Sequence, residues 1–270
     1  MADKTPPRRA HLITGGFPPG SPAGHDHDYA RLRLLGILAE RDVPASAGND
    51  FADLSRWLPL SRLLVTYVAG PFPDPAQCGE LRAWLDAGGH WLALHGTSGG
   101  KAERVEGLRQ RRTVRMPHHA LLGSLFLTHP PLCRFQVDVA DGGHPVTQGL
   151  SASFVVEDEP YFIALQDPAS VHLLLTATYT DAAATSPAVG PLYGGDTSLL
   201  TDGRTRAIAY VRPVGRGAVI YCALGHCHSP AARPGPRDPT DTMPATVLGA
   251  WQSDAFATLL DNAVTWALRA

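Results

Sequence analysis

Two histidines stand where apolar segments end, and their positions point to shared chemistry. Residues 88–100 read GGHWLALHGTSGG, in which an apolar run closes on His95. Residues 217–228 read GAVIYCALGHCH, in which a second apolar run is followed by Gly225 and His226. Because α/β proteins bind ligands at the carboxyl ends of parallel strands, we predict that both imidazoles face one pocket. They would act there as acid and base, or as ligands of a divalent metal such as zinc.

The loop before the first predicted helix carries a third candidate group, His25-Asp26-His27-Asp28. In one interpretation, His25 or His27 acts with Asp26 to bind a metal or exchange protons beside the helix N-terminus, which favours anionic or hydroxylated ligands. In the other, the aspartates cap the helix and the imidazoles are solvated. We predict Asp28 as the N-cap, His25 as a ligand of substrate or metal, and Asp26 as a catalytic residue.

Three consecutive acidic residues, 157–159, precede Pro160 and Tyr161. Such a run is usually a solvated turn, but a carboxylate that points at a histidine would orient the ring and raise its basicity. We predict this catalytic role for Glu159, with Asp158 as the alternative, and substrate binding for Tyr161.

A serine-hydrolase mechanism is the weaker alternative. The segment 96–100 matches the G-x-S-x-G pattern, and Ser98, Asp158 or Glu159, and His226 follow the chain order of α/β hydrolases. However, a nucleophile directly follows its strand, and His95 occupies that place, three residues before Ser98. We therefore expect Ser98 and Thr97 to contact the substrate rather than to attack it.

The other polar motifs favour structural roles. His118-His119 follows Met116-Pro117, and adjacent histidines rarely reach one ligand together. His129-Pro130 and His144-Pro145 are typical of turns, although His129 is also a candidate substrate contact, and His228 is either a metal partner of His226 or a loop residue. A basic run is predicted as a solvated helix face balanced by acidic neighbours, not as a nucleic-acid site; it comprises Arg104, Arg109, Arg111, Arg112 and Arg115.

Composition indicates an ordinary globular protein. The 270 residues are 44% hydrophobic and 18% charged with a net charge of -2, so we expect one α/β domain over residues 1–270 and neither nucleic acid nor a membrane as partner. The N-terminus resembles no signal peptide, which predicts a cytoplasmic protein. The four cysteines form no C-x-x-C pair and are expected to be free thiols.

The elements that must position these residues follow from hydrophobic periodicity. Predicted strands cover His11–Thr14, Leu63–Tyr67, His90–Leu94, Phe135–Val139, His172–Thr178, Ala207–Val211 and Ala218–Leu224. Predicted helices cover Tyr29–Glu40, Pro75–Ala87 and Ala255–Leu268. The alternation in the first half predicts a parallel sheet with helices on both faces, and the short later strands predict added antiparallel members. Segments 181–202 and 229–244 are expected to be loops over the site or mobile surface.

Taken in order, the motifs resemble the ThuA-like (trehalose utilisation) family over roughly Leu12 to Leu268. They are GHDH at 24–27, GGHWLALHG at 88–96, HP at 129–130, HPVTQGL at 144–150, DEPY at 158–161 and GRGAVIYCALGH at 215–226. The resemblance implies a three-layer, flavodoxin-like fold similar to class I glutamine amidotransferases, with His95 in the place of their nucleophilic cysteine and His226 in the place of their histidine. Without a thiol there, glutamine hydrolysis is not expected.

The resemblance also implies a role in bacterial use of trehalose, related glucosides or their keto forms. We therefore predict acid–base or metal-assisted chemistry on such a carbohydrate, as a hydrolase, lyase or isomerase. The alternative is a catalytically silent module that binds a sugar or a partner; the chain could also form a homo-oligomer. The predicted catalytic residues are His95, His226, Glu159 and Asp26, the predicted substrate contacts are His25, Tyr161, Thr97, Ser98 and His129, and the metal candidates are His25, His95 and His226.

Overall fold

A nine-stranded sheet positions the candidate site. The computed structural model describes residues 7–16, 24–108, 110–179, 189–232 and 244–269. Within these ranges the strands are β1 (Ala10–Gly15), β2 (Ala45–Gly48), β3 (Leu63–Val68), β4 (His90–Leu94), β5 (Ala102–Arg104), β6 (Arg111–Thr113), β7 (Ser124–Thr128), β8 (Cys133–Val139), β9 (Ser153–Asp158), β10 (Phe162–Leu165), β11 (His172–Thr178), β12 (Thr205–Val214) and β13 (Gly217–Cys222). The α-helices are α1 (His27–Ala39), α2 (Leu54–Trp57), α3 (Pro75–Asp86), α4 (Pro117–Leu122), α5 (Val189–Tyr193) and α6 (Asp254–Arg269).

The strand order of the large sheet is β2-β1-β3-β4-β13-β12-β11-β8-β9. The strands from β2 to β13 in this order are parallel, so β1, β3, β4 and β13 all end at one edge. From β13 to β9 each pairing is antiparallel. After four reversals β9 again runs in the direction of β13, and it therefore ends at the same edge.

Helices cover both faces of the sheet, which explains why β1, β3, β4 and β13 are buried along their whole length. Helices α1 and α6 pack on one face, where Phe256, Leu260, Val264 and Leu268 form a buried stripe at four-residue spacing along α6. Helices α2, α3 and α4 pack on the other face. The predicted three-layer α/β fold with a parallel core and added antiparallel strands is confirmed.

Two local predictions are wrong. The N-cap of α1 is Asp26, not Asp28, because the Asp26 carboxylate accepts the backbone N–H of Tyr29. The described part of the basic run is not a helix face, because β5 and β6, which contain Arg104, Arg111 and Arg112, pair as an antiparallel hairpin in which Arg112 contacts Glu103 at 2.5 Å. Arg109 lies outside the described residues.

The remaining predictions differ from the structure mainly in what they left out. Sequence periodicity missed the short strands β2, β7, β9 and β10. The two predicted loop segments lie partly outside the described residues, since 180–188 and 233–243 are not among them. All four cysteines are unpaired, as predicted. No described helix combines the length and apolar character needed to cross a lipid bilayer.

Candidate functional site

Four side chains meet above the carboxyl edge of the sheet. His25 comes from the loop before α1, His95 directly follows β4, Glu159 directly follows β9, and His226 lies shortly after β13. Each offers one ligand atom, and these four atoms all lie within 4.8 Å of one another. The ring centroids are 4.9 Å apart for His25 and His95, 5.2 Å for His25 and His226, and 5.6 Å for His95 and His226. We call these four residues the cluster.

The backbone at His95 is strained. Its φ of +42° lies in the left-handed region that residues with a Cβ seldom adopt. Strain of this kind persists where the surrounding structure enforces it, and it is frequent at functional sites. Here a buried strand turns abruptly into a 3-10 turn at His95–Ser98. The turn directs the His95 imidazole at the other three residues of the cluster. His95 therefore occupies the position at which a nucleophile elbow carries its nucleophile.

Hydrogen bonds on the outer side of two imidazoles determine which ring nitrogen is free. His95 Nδ1 lies 2.7 Å from the carbonyl of Ala223, and a carbonyl only accepts, so Nδ1 carries the proton and Nε2 keeps its lone pair. His228 Nε2 likewise donates to the carbonyl of Pro244 at 2.9 Å. A neutral His228 then accepts at Nδ1 from His226 Nε2, 3.1 Å away, which leaves the lone pair of His226 on Nδ1.

Each of the three histidines of the cluster has one ring nitrogen without a hydrogen-bond partner. These nitrogens are His25 Nδ1, His95 Nε2 and His226 Nδ1, and all three are buried. His226 Nδ1 lies 3.0 Å from Glu159 Oε2, but without hydrogen-bond geometry. The other ring nitrogen of His25, Nε2, contacts the Tyr161 hydroxyl at 3.3 Å. Imidazoles that are held from outside and present unpartnered nitrogens to a carboxylate are the usual arrangement of a metal site.

The protonation states also suit a metal. Burial, reinforced by the neighbouring imidazoles, lowers the pKa of His25 well below its ordinary value. Burial likewise lowers the pKa of His95 to about 3. Burial raises the pKa of Glu159, but the ring N–H and positive charge that His226 presents when protonated, together with the charge of protonated His129 and His95, outweigh burial and bring that pKa to about 2. Neutral imidazoles and an ionised carboxylate are the forms that coordinate a divalent cation.

His129 and Tyr161 border the cluster. His129 Nδ1 is 3.7 Å from Glu159 Oε2, and its side chain is 36% exposed where that of Glu159 is only 10% exposed. The Tyr161 ring lies between His95 and His129, at centroid distances of 3.8 and 5.6 Å. Of these two predicted substrate contacts, His129 is the more accessible, whereas Tyr161 is buried and aligns His25.

The structure does not bring three other predicted site residues to the cluster. The Asp26 carboxylate caps α1 and accepts the hydroxyl of Ser229. Thr97 is buried and bonds to Thr66. Ser98 is buried, and its hydroxyl contacts the Tyr221 hydroxyl at 2.7 Å and the His95 carbonyl. Among the described residues no imidazole nitrogen hydrogen-bonds to Ser98 Oγ, so this serine lacks the general base that a hydrolase needs.

Sequence reasoning missed Tyr67 and underrated Asp158. The Tyr67 ring lies 5.9 Å from that of His25 and 6.2 Å from that of His95, and its hydroxyl donates to the Gly225 carbonyl. An aromatic residue with a polar tip at the end of the apolar run 63–67 was the available signal. Asp158 is completely buried rather than part of a solvated turn. No sequence pattern marks that difference.

Comparison with known proteins agrees with this architecture. A family model described as trehalose utilisation, ThuA, matches residues 26–237. No curated protein matches the sequence. A ThuA-like protein from Parabacteroides merdae superposes with a TM-score of 0.61 at 16% identity, covering 97% of this chain and 90% of the other. A ThuA-like protein from Bacteroides uniformis gives 0.58 at 19% identity, with 98% and 93% covered.

A β-galactosidase from Rahnella sp. R3 also contains this fold. It superposes with a TM-score of 0.52 at 15% identity, covering 81% of this chain but only 29% of the enzyme. At such low identities, these structural likenesses concern the fold alone.

Proposed function

Because the chain belongs to the trehalose utilisation (ThuA) family, we propose that it transforms a sugar or keto-sugar with a divalent metal ion bound by the cluster. Two observations carry this proposal: one ligand atom from each of the four cluster residues lies within 4.8 Å of the others, and each of the three imidazoles has one buried nitrogen without a hydrogen-bond partner. A buried polar atom left unsatisfied costs about 1–3 kcal/mol. A cation shared by all four ligands removes that cost at three atoms together.

The donor set narrows the choice of ion. Three imidazole nitrogens and one carboxylate oxygen suit zinc and other first-row divalent metals, whereas calcium and magnesium prefer oxygen ligands. We propose zinc as the first candidate. When bound, such an ion polarises a carbonyl or hydroxyl oxygen and acidifies coordinated water.

The protein residues supply orientation and proton transfer. The Ala223 carbonyl and His228 hold His95 and His226 in the tautomers that turn a lone pair inward. His129 borders Glu159 and is partly exposed, so it is the residue that contacts the sugar and exchanges a proton with it. Positioned proton transfer of this kind contributes roughly 10²- to 10⁴-fold in rate.

Metal analysis combined with a substrate screen tests the proposal. We expect one equivalent of metal in purified protein, loss of the ion to a chelator, and recovery of thermal stability on adding zinc chloride. A ligand present at 100 times its Kd stabilises a fold by about 2.7 kcal/mol. Turnover of a keto-glucoside panel should vanish with the metal.

Two variants make the test specific. His95→Gln should lose both the metal and turnover, whereas His144→Gln, at a turn outside the cluster, should retain both. Protein that neither contains a metal nor is stabilised by any first-row divalent ion contradicts the proposal. Metal binding without turnover of any carbohydrate in the panel would instead indicate a catalytically silent binding module.

A further inference from the structure

Asp158 is a buried carboxylate that contacts main chain on three separate segments. Its side chain is completely buried. Oδ1 accepts the backbone N–H groups of Glu159 at 2.7 Å and His226 at 3.0 Å. Oδ2 accepts those of Gly225 at 2.8 Å and Ala250 at 3.2 Å. Both oxygens are therefore occupied by four charge-assisted hydrogen bonds.

Two of these four donors belong to cluster residues. Glu159 follows β9 and His226 follows β13, and three strands lie between β9 and β13 in the sheet. Pairing within the sheet therefore does not bring the two ligands together. The Asp158 carboxylate joins their backbones directly, through Oδ1 alone.

The third segment that Asp158 contacts, at residues 249–250, restricts the His226 backbone further. Ala250 belongs to the 3-10 turn Gly249–Gln252, and Gly249 packs so closely that an added Cβ would lie 2.3 Å from the His226 carbonyl oxygen and 3.4 Å from Asp158 Cγ. The His226 backbone is thus held by Asp158 on its N–H and confined by Gly249 at its carbonyl. Little freedom remains in how His226 faces Glu159.

We propose that Asp158 is a positioning residue of the metal site: it sets the separation of Glu159 and His226 and thereby the affinity of the cluster for its ion. This inference rests on the proposed function. A carboxylate is needed because all four partners are donors. An amide at the same place would offer one acceptor oxygen and direct an NH₂ group at two N–H groups.

Asp158→Asn tests the inference through metal affinity. Competition with a chromophoric chelator should give a Kd for zinc that is about 10- to 100-fold weaker than in the unsubstituted protein, the range typical of residues that orient metal ligands. Thermal melting of the metal-free proteins measures stability separately. The matched control is Asp196→Asn, because Asp196 also uses its carboxylate structurally, with Arg206 and Ser198. The control should melt at a lower temperature but bind zinc within about twofold of the original affinity.

Asp158→Glu is the second variant, in case the asparagine protein does not fold. It keeps the charge and lengthens the side chain, so the cobalt(II)-substituted protein should show an altered ligand-field spectrum and weaker zinc binding. The inference is wrong if either Asp158 variant is less stable yet binds zinc as tightly as the original protein, with an unchanged cobalt spectrum. The proposal of a metal site would not be affected by that result. If the original protein binds no metal, the proposed function fails and this inference fails with it.

Discussion

Acid should destabilise the fold through a buried histidine far from the cluster, His90 at the start of β4. Its ring is buried against the edge of Trp266, with 5.3 Å between centroids, and its Nδ1 has no hydrogen-bond partner. Burial, with a smaller effect of nearby Arg62, lowers the pKa of His90 from 6.5 to about 4. In the unfolded chain His90 is therefore protonated below pH 6.5, whereas in the folded protein it stays neutral until the pH falls to about 4.

The sign and size of the effect follow from this difference. The contribution of neutral His90 to the free energy of unfolding is fully present above pH 6.5 and is lost progressively as the pH falls towards 4. At about 1.4 kcal/mol for each pH unit, His90 contributes at most about 3 kcal/mol over this interval. That is a substantial part of a typical folding free energy of about 5–15 kcal/mol.

His90→Gln isolates this contribution, because glutamine retains a polar side chain that does not titrate. We expect the urea-derived free energy of unfolding to fall less steeply between pH 6.5 and 4 in the variant, by about 1 kcal/mol per pH unit. Both proteins should be measured with a chelator present, so that loss of metal does not contribute. Parallel curves for the two proteins would refute the assignment of a depressed pKa to His90.

Three further substitutions should separate the cluster from its surroundings. Gly249→Ala places a side chain at φ +50° and against the His226 carbonyl, so it should weaken zinc binding at least tenfold and lower the melting temperature. Ser98→Ala removes a buried hydrogen bond with Tyr221 and should cost about 1 kcal/mol without loss of metal or turnover; loss of turnover would revive a nucleophilic role. Asp26→Ala removes the N-cap of α1 and should cost about 1 kcal/mol in urea unfolding, with zinc affinity within twofold; a larger loss of affinity would return this carboxylate to the site.

Hydrophobic patterning was sufficient to predict the core of the fold and the meeting of two of the four cluster residues, His95 and His226. The apolar runs that end at His95 and before His226 are long enough, and bounded closely enough by glycine, to be recognised as buried parallel strands. Parallel strands end at a common edge, so the meeting of these two histidines follows from local sequence and topology alone. Amphipathic spacing likewise predicted α1, α3 and α6, because each buries one face against a sheet.

Tertiary structure decided the rest. Glu159 reaches the cluster from β9, an edge strand of the large sheet. No periodicity reveals that the chain after β9 meets the chain after β13, or that Asp158 joins them. Local sequence also left open whether Asp26 would cap α1 or enter the site, because both uses suit the same carboxylate at a helix N-terminus. Which imidazole nitrogen faces inward depends on carbonyls of residues distant in sequence, Ala223 for His95 and Pro244 for the His228 that holds His226. Residue types and strand ends are local properties of a sequence, whereas ligand geometry depends on contacts between segments that only folding brings together.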